Sequence, residues 1–259
     1  FENQQAPKAY FKGLNFLLNE QQDEAIDAFI EAVQNDPDTS ELHFALGNLF
    51  RRRGEYERAV RVHEHLLSRG DLSLRDRQRA QHALALDYLK AGLLDRAEAA
   101  LFKLEGTPFE AEARLSLLAS YERSRDWPQA ALIAQKLTAS KQGRFQARLG
   151  HYLCEKAATC LSKQQPQQAL AALREAVATA PESARPRLDL ARLLMVQGDP
   201  LAAYMTLVEA TDASPAAMPL IASPLADYAL SAGKTNDALQ LLRSNYDASP
   251  ALGVLDAIV

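Results

Sequence analysis

Cysteine, glycine and proline are scarce in this 259-residue chain, and no long apolar run interrupts it. The only two cysteines, Cys154 and Cys160, stand six residues apart, roughly 240° around a helix, so they do not pair on one. That excludes a disulfide framework, forms no metal motif and fits a reducing compartment. Gly (11) and Pro (12) are few while alanine and leucine dominate, which points to helix. No apolar stretch approaches the ~18 residues that span a bilayer. A strong charge is also missing: 29 basic against 33 acidic residues leave a net −4, which argues against a nucleic-acid binder. What is present is 47% apolar residue, enough for a sizeable core, so a disordered chain is excluded. At ~150 residues per domain the length predicts one or two domains, or one elongated array.

An array is what the spacing supports. An alanine recurs at Ala25, Ala59, Ala97, Ala130, Ala169, Ala203 and Ala238, at intervals of 34, 38, 33, 39, 34 and 35. Five residues before four of them stands a glycine: Gly54, Gly92, Gly198 and Gly233. Prolines fall in register at Pro37, Pro181, Pro215 and Pro250. Each feature has a physical reading. A small residue where two helices cross lets their axes approach to about 8–10 Å. Glycine supplies the left-handed conformation that ends the first helix, and proline prevents the second from continuing. The pattern resembles the tetratricopeptide repeat. That resemblance implies an all-α fold, a right-handed superhelical array of about seven helix pairs over residues 6–252. The units are placed at 6–39, 40–73, 78–110, 111–144, 150–183, 184–218 and 219–252, with 253–259 starting a further, truncated helix. The chain begins Phe1-Glu2-Asn3 and stops inside an apolar stretch, so both ends read as cuts in a longer chain.

Catalytic chemistry finds no pattern. His43, His63, His65, His82 and His151 form no His-Glu-x-x-His, and no phosphate loop or Gly-rich dinucleotide turn occurs. Solvated or partly packed helical histidines account for them better than a metal site does. Asn35-Asp36-Pro37-Asp38 lacks the central glycine of a calcium loop, and Ser120 and Ser223 lack a nucleophile elbow. Trp127 followed by Pro128 reads as a packed residue opening a second helix. The chain is read as a non-enzyme, without metal or cofactor of its own.

Partner-binding candidates follow from the repeat register, in which the first helix of each unit lines a groove. Asn48, Arg51, Arg52, Arg79, His82, Glu122, Arg123 and Arg192 are placed there. Charge is uneven: residues 1–39 carry −6, residues 40–82 carry +3 and residues 111–150 carry +4. The middle units therefore favour an acidic partner. The run Arg51-Arg52-Arg53 beside Asn48 is the strongest cluster, two of its members being expected to face the groove. A clamp for a chaperone-tail carboxylate is incomplete, because Phe44 and Ala83 occupy positions that need Lys and Asn.

Several stretches go beyond the generic repeat: Gly13-Leu14-Asn15-Phe16-Leu17-Leu18, Leu46-Gly47-Asn48-Leu49-Phe50-Arg51, Arg52-Arg53-Gly54-Glu55 and Arg58-Ala59-Val60-Arg61-Val62-His63. Asp87-Tyr88-Leu89-Lys90-Ala91-Gly92, Asp95-Arg96-Ala97-Glu98 and His151-Tyr152-Leu153-Cys154-Glu155 join them. Together they resemble the lipopolysaccharide assembly protein B family (LapB, also called YciM), most tightly over 8–105 and 151–155 and more loosely after 165. The resemblance implies an adaptor on the cytoplasmic face of the bacterial inner membrane, with an N-terminal membrane helix outside this stretch. It implies that the adaptor presents the lipid A deacetylase LpxC to the membrane protease FtsH and contacts an inner-membrane regulator. It also implies a C-terminal rubredoxin-like module holding iron or zinc, likewise outside this stretch. An exposed apolar end also permits a homodimer. Two alternatives stay open: a generic repeat scaffold for other envelope-assembly partners, and an enzyme or regulatory domain of a larger enzyme.

Overall fold

A computed structural model describes residues 5–258, with side chains from residue 8 onward. Fifteen α-helices and one short 3₁₀ turn make up its regular structure, with no strand among the described residues. The chain divides into two compact units, up to Arg123 and from Ser124 on. The first holds α1 (Gln5–Leu18), α2 (Gln22–Asn35), α3 (Ser40–Arg52), α4 (Tyr56–Ser68), α5 (Leu74–Ala91), α6 (Leu94–Phe102) and α7 (Glu110–Ser124), whose last residue alone falls in the second. The second holds α8 (Trp127–Ala139), α9 (Gln146–Ser162), α10 (Pro166–Thr179), α11 (Ala184–Val196), α12 (Pro200–Ala213), α13 (Met218–Ser231), α14 (Thr235–Ala248) and α15 (Leu252–Leu255).

Helices pack in consecutive pairs, and the recurring alanines explain how. All seven lie in even-numbered helices, α2 to α14, and none is more than 2% exposed. Around them the large side chains are local to neighbouring helices. Phe29, Leu46, Leu49 and Phe50 surround Ala25 and Ala59, while Leu207, Ile221, Leu225 and Leu242 surround Ala203 and Ala238. Each fully buried Leu, Ile or Phe contributes roughly 1.5–3 kcal/mol.

The turns within the pairs share one backbone. Gly54, Gly92, Gly198 and Gly233 have φ between 67° and 83°. Glu20, Arg125 and Gln164 stand at the same place, five residues before Ala25, Ala130 and Ala169, and adopt φ of 57–59° without being glycine. After the left-handed residue an N–H reaches back five residues: Gln21 to the Phe16 carbonyl, Glu55 to Phe50, Leu93 to Tyr88 and Gln165 to Cys160, each at 2.9 Å. This Schellman arrangement satisfies a carbonyl that the helix end would leave unpaired. Where a proline follows the second helix, its predecessor leaves the helical region: Asp36, Ala180, Ser214 and Ser249 have φ of −129° to −151° and ψ of 66° to 88°.

Candidate functional site

In the first unit α3, α4 and α5 meet at a buried polar cluster. Asp87 on α5 receives a hydrogen bond from His63 Nδ1 on α4 at 2.5 Å and another from Arg51 Nη1 on α3 at 2.8 Å. The Asp87 and His63 side chains are 0% exposed and that of Arg51 is 19% exposed. Arg51 also donates to the Ala83 carbonyl at 3.2 Å and to Asn48 Oδ1 at 2.5 Å. A Cβ on Gly47 would sit 2.6 Å from the His63 ring, so only glycine lets α3 and α4 close over it. His63 Nε2 is buried there without a partner among the described residues. His63 is therefore neither solvated nor partly packed, as the sequence reading had it, but enclosed. Asn48 and Arg51 are turned into the seam between consecutive helix pairs, where they hold structure.

The other sequence-derived positions in the first unit are more open. Arg52 and Arg123 are exposed and make no ion pair among the described residues. Arg79 bonds Glu41 at 2.5 Å while its guanidinium lies 4.0 Å above the ring of Phe44. His82 is half-buried and lies 5.2 Å from Phe109, centroid to centroid. Burial pushes the His82 pKa down, Arg51 pushes it the same way and Glu112 opposes them. Glu122 is half-buried near the end of α7. Several of the other arginines are paired locally. Arg53 pairs with Asp23, Arg58 with Glu55, Arg69 with Asp71 and Arg114 with Glu110. Of the arginines expected to meet a partner, Arg52 and Arg123 keep their charge free.

In the second unit α9 and α11 present another group. Trp127 stacks on Tyr152 at 5.9 Å and meets His151 edge-on at 5.6 Å, which fits its reading as a packed residue. Arg185 on α11 contacts His151 and donates to Glu155 at 2.7 Å and to Asp189 at 3.3 Å. Asp189 also accepts from Arg192 at 3.2 Å. Beside these charges lies a cleft of about 300 Å³, lined by Cys154, Ala157, Leu161, Leu193 and Val196 among others. Burial, with the carboxylate of Asp189 adding to it, pushes the Cys154 thiol up to about 12. Sequence reasoning placed Arg192 but missed the Asp189–Leu161–Val196 surroundings and the Asp87 seam. No spacing rule signals a contact between residues 24 or 36 positions apart. Among the described residues no group of three or more His, Cys, Asp or Glu is placed to hold a metal ion. No described helix is long and apolar enough to cross a membrane.

Paired helices, left-handed turns and buried crossing alanines define the class: this is a tetratricopeptide-repeat protein. Models of the Tetratricopeptide repeat family match residues 12–62 and 161–228. The C-terminal part of a repeat-containing protein of this class from Cytophaga hutchinsonii has the same fold, with a TM-score of 0.52 at 11% identity over 96% of this chain and 99% of that one. Lipopolysaccharide assembly protein B of Escherichia coli strain K12 is 35% identical over 191 residues, 73% of this chain and 49% of the relative. The protein of that name from Haemophilus influenzae strain Rd is 33% identical over 198 residues, 73% of this chain and 50% of the relative. The chain is thus a repeat array homologous to lipopolysaccharide assembly protein B, and it spans about half the length of the curated relatives it matches.

Proposed function

We propose that the chain is the partner-binding array of a non-enzymatic adaptor in lipopolysaccharide assembly, one that presents LpxC to FtsH at the cytoplasmic face of the inner membrane. The observation that carries this reading is the 35% identity over 191 residues to lipopolysaccharide assembly protein B. The structure supports a scaffold role through its repeated helix pairs, a form that holds proteins together by surface rather than by a reaction centre. Exposed Arg52 and Arg123 supply unpaired positive charge for an acidic partner surface. The adaptor acts by co-localisation: holding a captured deacetylase beside the protease raises its effective concentration there without new chemistry. An iron or zinc module, if the full protein carries one, would support the array from outside this chain, and no step here depends on it.

Tethering tests the mechanism. The chain, carrying a terminal His-tag, is anchored to nickel-lipid vesicles containing FtsH, and LpxC degradation is followed with anchored and free chain. Faster degradation with the anchored chain is expected. Equal rates would overturn co-localisation.

A further inference from the structure

We propose that the loop edge formed by α8, α9 and α10 rests against an anionic bilayer surface, a peripheral contact made by basic side chains alone. It rests on the inner-membrane reading above and names the face of the chain that meets the lipid. Charge in the second unit is concentrated at this edge. The whole chain carries −4, yet residues 127–179, which span α8 to α10, hold seven basic residues against two acidic ones. From Trp127 to Cys154 no Asp or Glu occurs, while Lys136, Lys141, Arg144 and Arg148 all fall in that stretch. Of the two acids, Glu155 is taken by Arg185 at 2.7 Å. Lys141, Arg144 and Arg174 are exposed and form no ion pair among the described residues.

The backbone fixes where these cations stand. α8 ends in a left-handed turn: Lys141 has φ of 56°, its N–H donates to the Thr138 carbonyl at 3.1 Å, and that of Gln142 donates to Leu137 at 3.0 Å. Phe145 is buried and pins the other end of the loop, its ring so close to Gly143 that a Cβ there would meet it at 2.9 Å. Between these anchors Lys141, Gln142, Gly143 and Arg144 are all exposed. The end of α10 lies beside the start of α9, where a Cβ on Gly150 would meet Ala180 at 2.6 Å. That packing brings Arg174, in the last two turns of α10, to the same edge. Glu175 and Glu182 are the acids there, and they leave the edge positive. The surroundings select the occupant. A stable protein interface has an apolar centre, and no large apolar side chain is exposed from Lys136 to Gly150 or from Arg174 to Ala184. Single-stranded nucleic acid stacks its bases on exposed rings, and Phe145 is buried. A contact of charge alone suits the dense phosphate layer of anionic lipid, where each cation near the surface strengthens binding about fivefold.

Co-sedimentation of the full chain with sucrose-loaded vesicles tests this, using phosphatidylcholine with and without about 30% phosphatidylglycerol at about 20 mM salt. Binding is expected to the anionic vesicles only, and about 300 mM salt should remove most of it. Lys141→Gln with Arg144→Gln should weaken it about 25-fold, with helicity unchanged by circular dichroism. Lys90→Gln with Lys103→Gln removes the same charge from exposed positions of the first unit and should weaken it less than about twofold. No binding to anionic vesicles, equal binding to neutral ones, or an equal loss in the two double variants would each overturn the proposal. So would binding of labelled hexaglutamate or oligothymidylate that needs Lys141 and Arg144 while vesicles fail to bind. LpxC binding by a chain that ignores vesicles would sink the membrane edge alone. Vesicle binding without LpxC binding would sink the LpxC reading alone.

Discussion

Replacing Asp87 by alanine removes the acceptor that His63 and Arg51 share, at 2.5 and 2.8 Å. His63 then keeps two ring nitrogens in a sealed space, since its Nε2 already lacks a partner. Arg51 keeps its charge but loses its counter-ion. Breaking a fully buried ion pair costs about 3–5 kcal/mol. Arg51 is 19% exposed and retains its bonds to Ala83 and Asn48, which places the expected loss at the lower end, about 3 kcal/mol. With a urea dependence of about 3 kcal/mol per molar, the unfolding midpoint of the first unit falls by about 1 M. Asp87→Asn preserves shape and one acceptor, so its cost should be about 1–2 kcal/mol. Urea titrations followed by circular dichroism measure the midpoints, and hydrogen exchange locates the damage. Amides of α3, α4 and α5 should lose protection while those of α12 to α14 keep theirs, because repeats stabilise mainly their neighbours. A midpoint shift below about 0.2 M for Asp87→Ala would refute a structural role for the cluster.

The left-handed turns give a gain rather than a loss. Glu20→Gly, Arg125→Gly and Gln164→Gly should each stabilise the chain by up to ~1 kcal/mol, since the strain relieved exceeds the extra freedom of an unfolded glycine; melting temperatures that fall would contradict this. Ala130→Leu forces three methyl-sized groups into a position that is 0% exposed and should cost about 1–3 kcal/mol, read from the urea midpoint. His43 and His82 are both held below 6.5, first of all by burial. The neutral rings therefore favour the fold: their contribution is complete above pH 6.5 and is lost as pH falls through that value toward the folded pKa. The midpoint of the first unit should drop between pH 7.5 and 5.5, and His82→Gln should flatten the drop.

The helical class and the alanine register were legible because both come from short-range steric needs. A crossing point tolerates only a small side chain, and that need repeats at a readable interval. The turns were half legible. Four carry glycine, but at Glu20, Arg125 and Gln164 the packing of the flanking helices imposes the same backbone on residues that do not favour it. Charge was legible as composition and not as surface. Arg51 and Arg53 belong to one basic run, yet Arg51 turns inward to Asp87 and Arg53 pairs with Asp23, leaving Arg52 open. One signal for the seam was present. Asp87 interrupts the run Leu84-Ala85-Leu86-Asp87-Tyr88-Leu89, and a lone carboxylate on a buried face needs a cation or a donor nearby. Which partners answer it depends on side-chain directions that no spacing encodes. The same holds for Leu161 and Val196, which share a cleft only because α9 and α11 lie side by side.

Calorimetric titration of the 259-residue chain with purified LpxC, at about 50 and 300 mM salt, tests the central claim most directly. The account predicts saturable binding that weakens at the higher salt and weakens again in Arg52→Glu with Arg123→Glu. Undetectable binding by a chain of full helical content would contradict it.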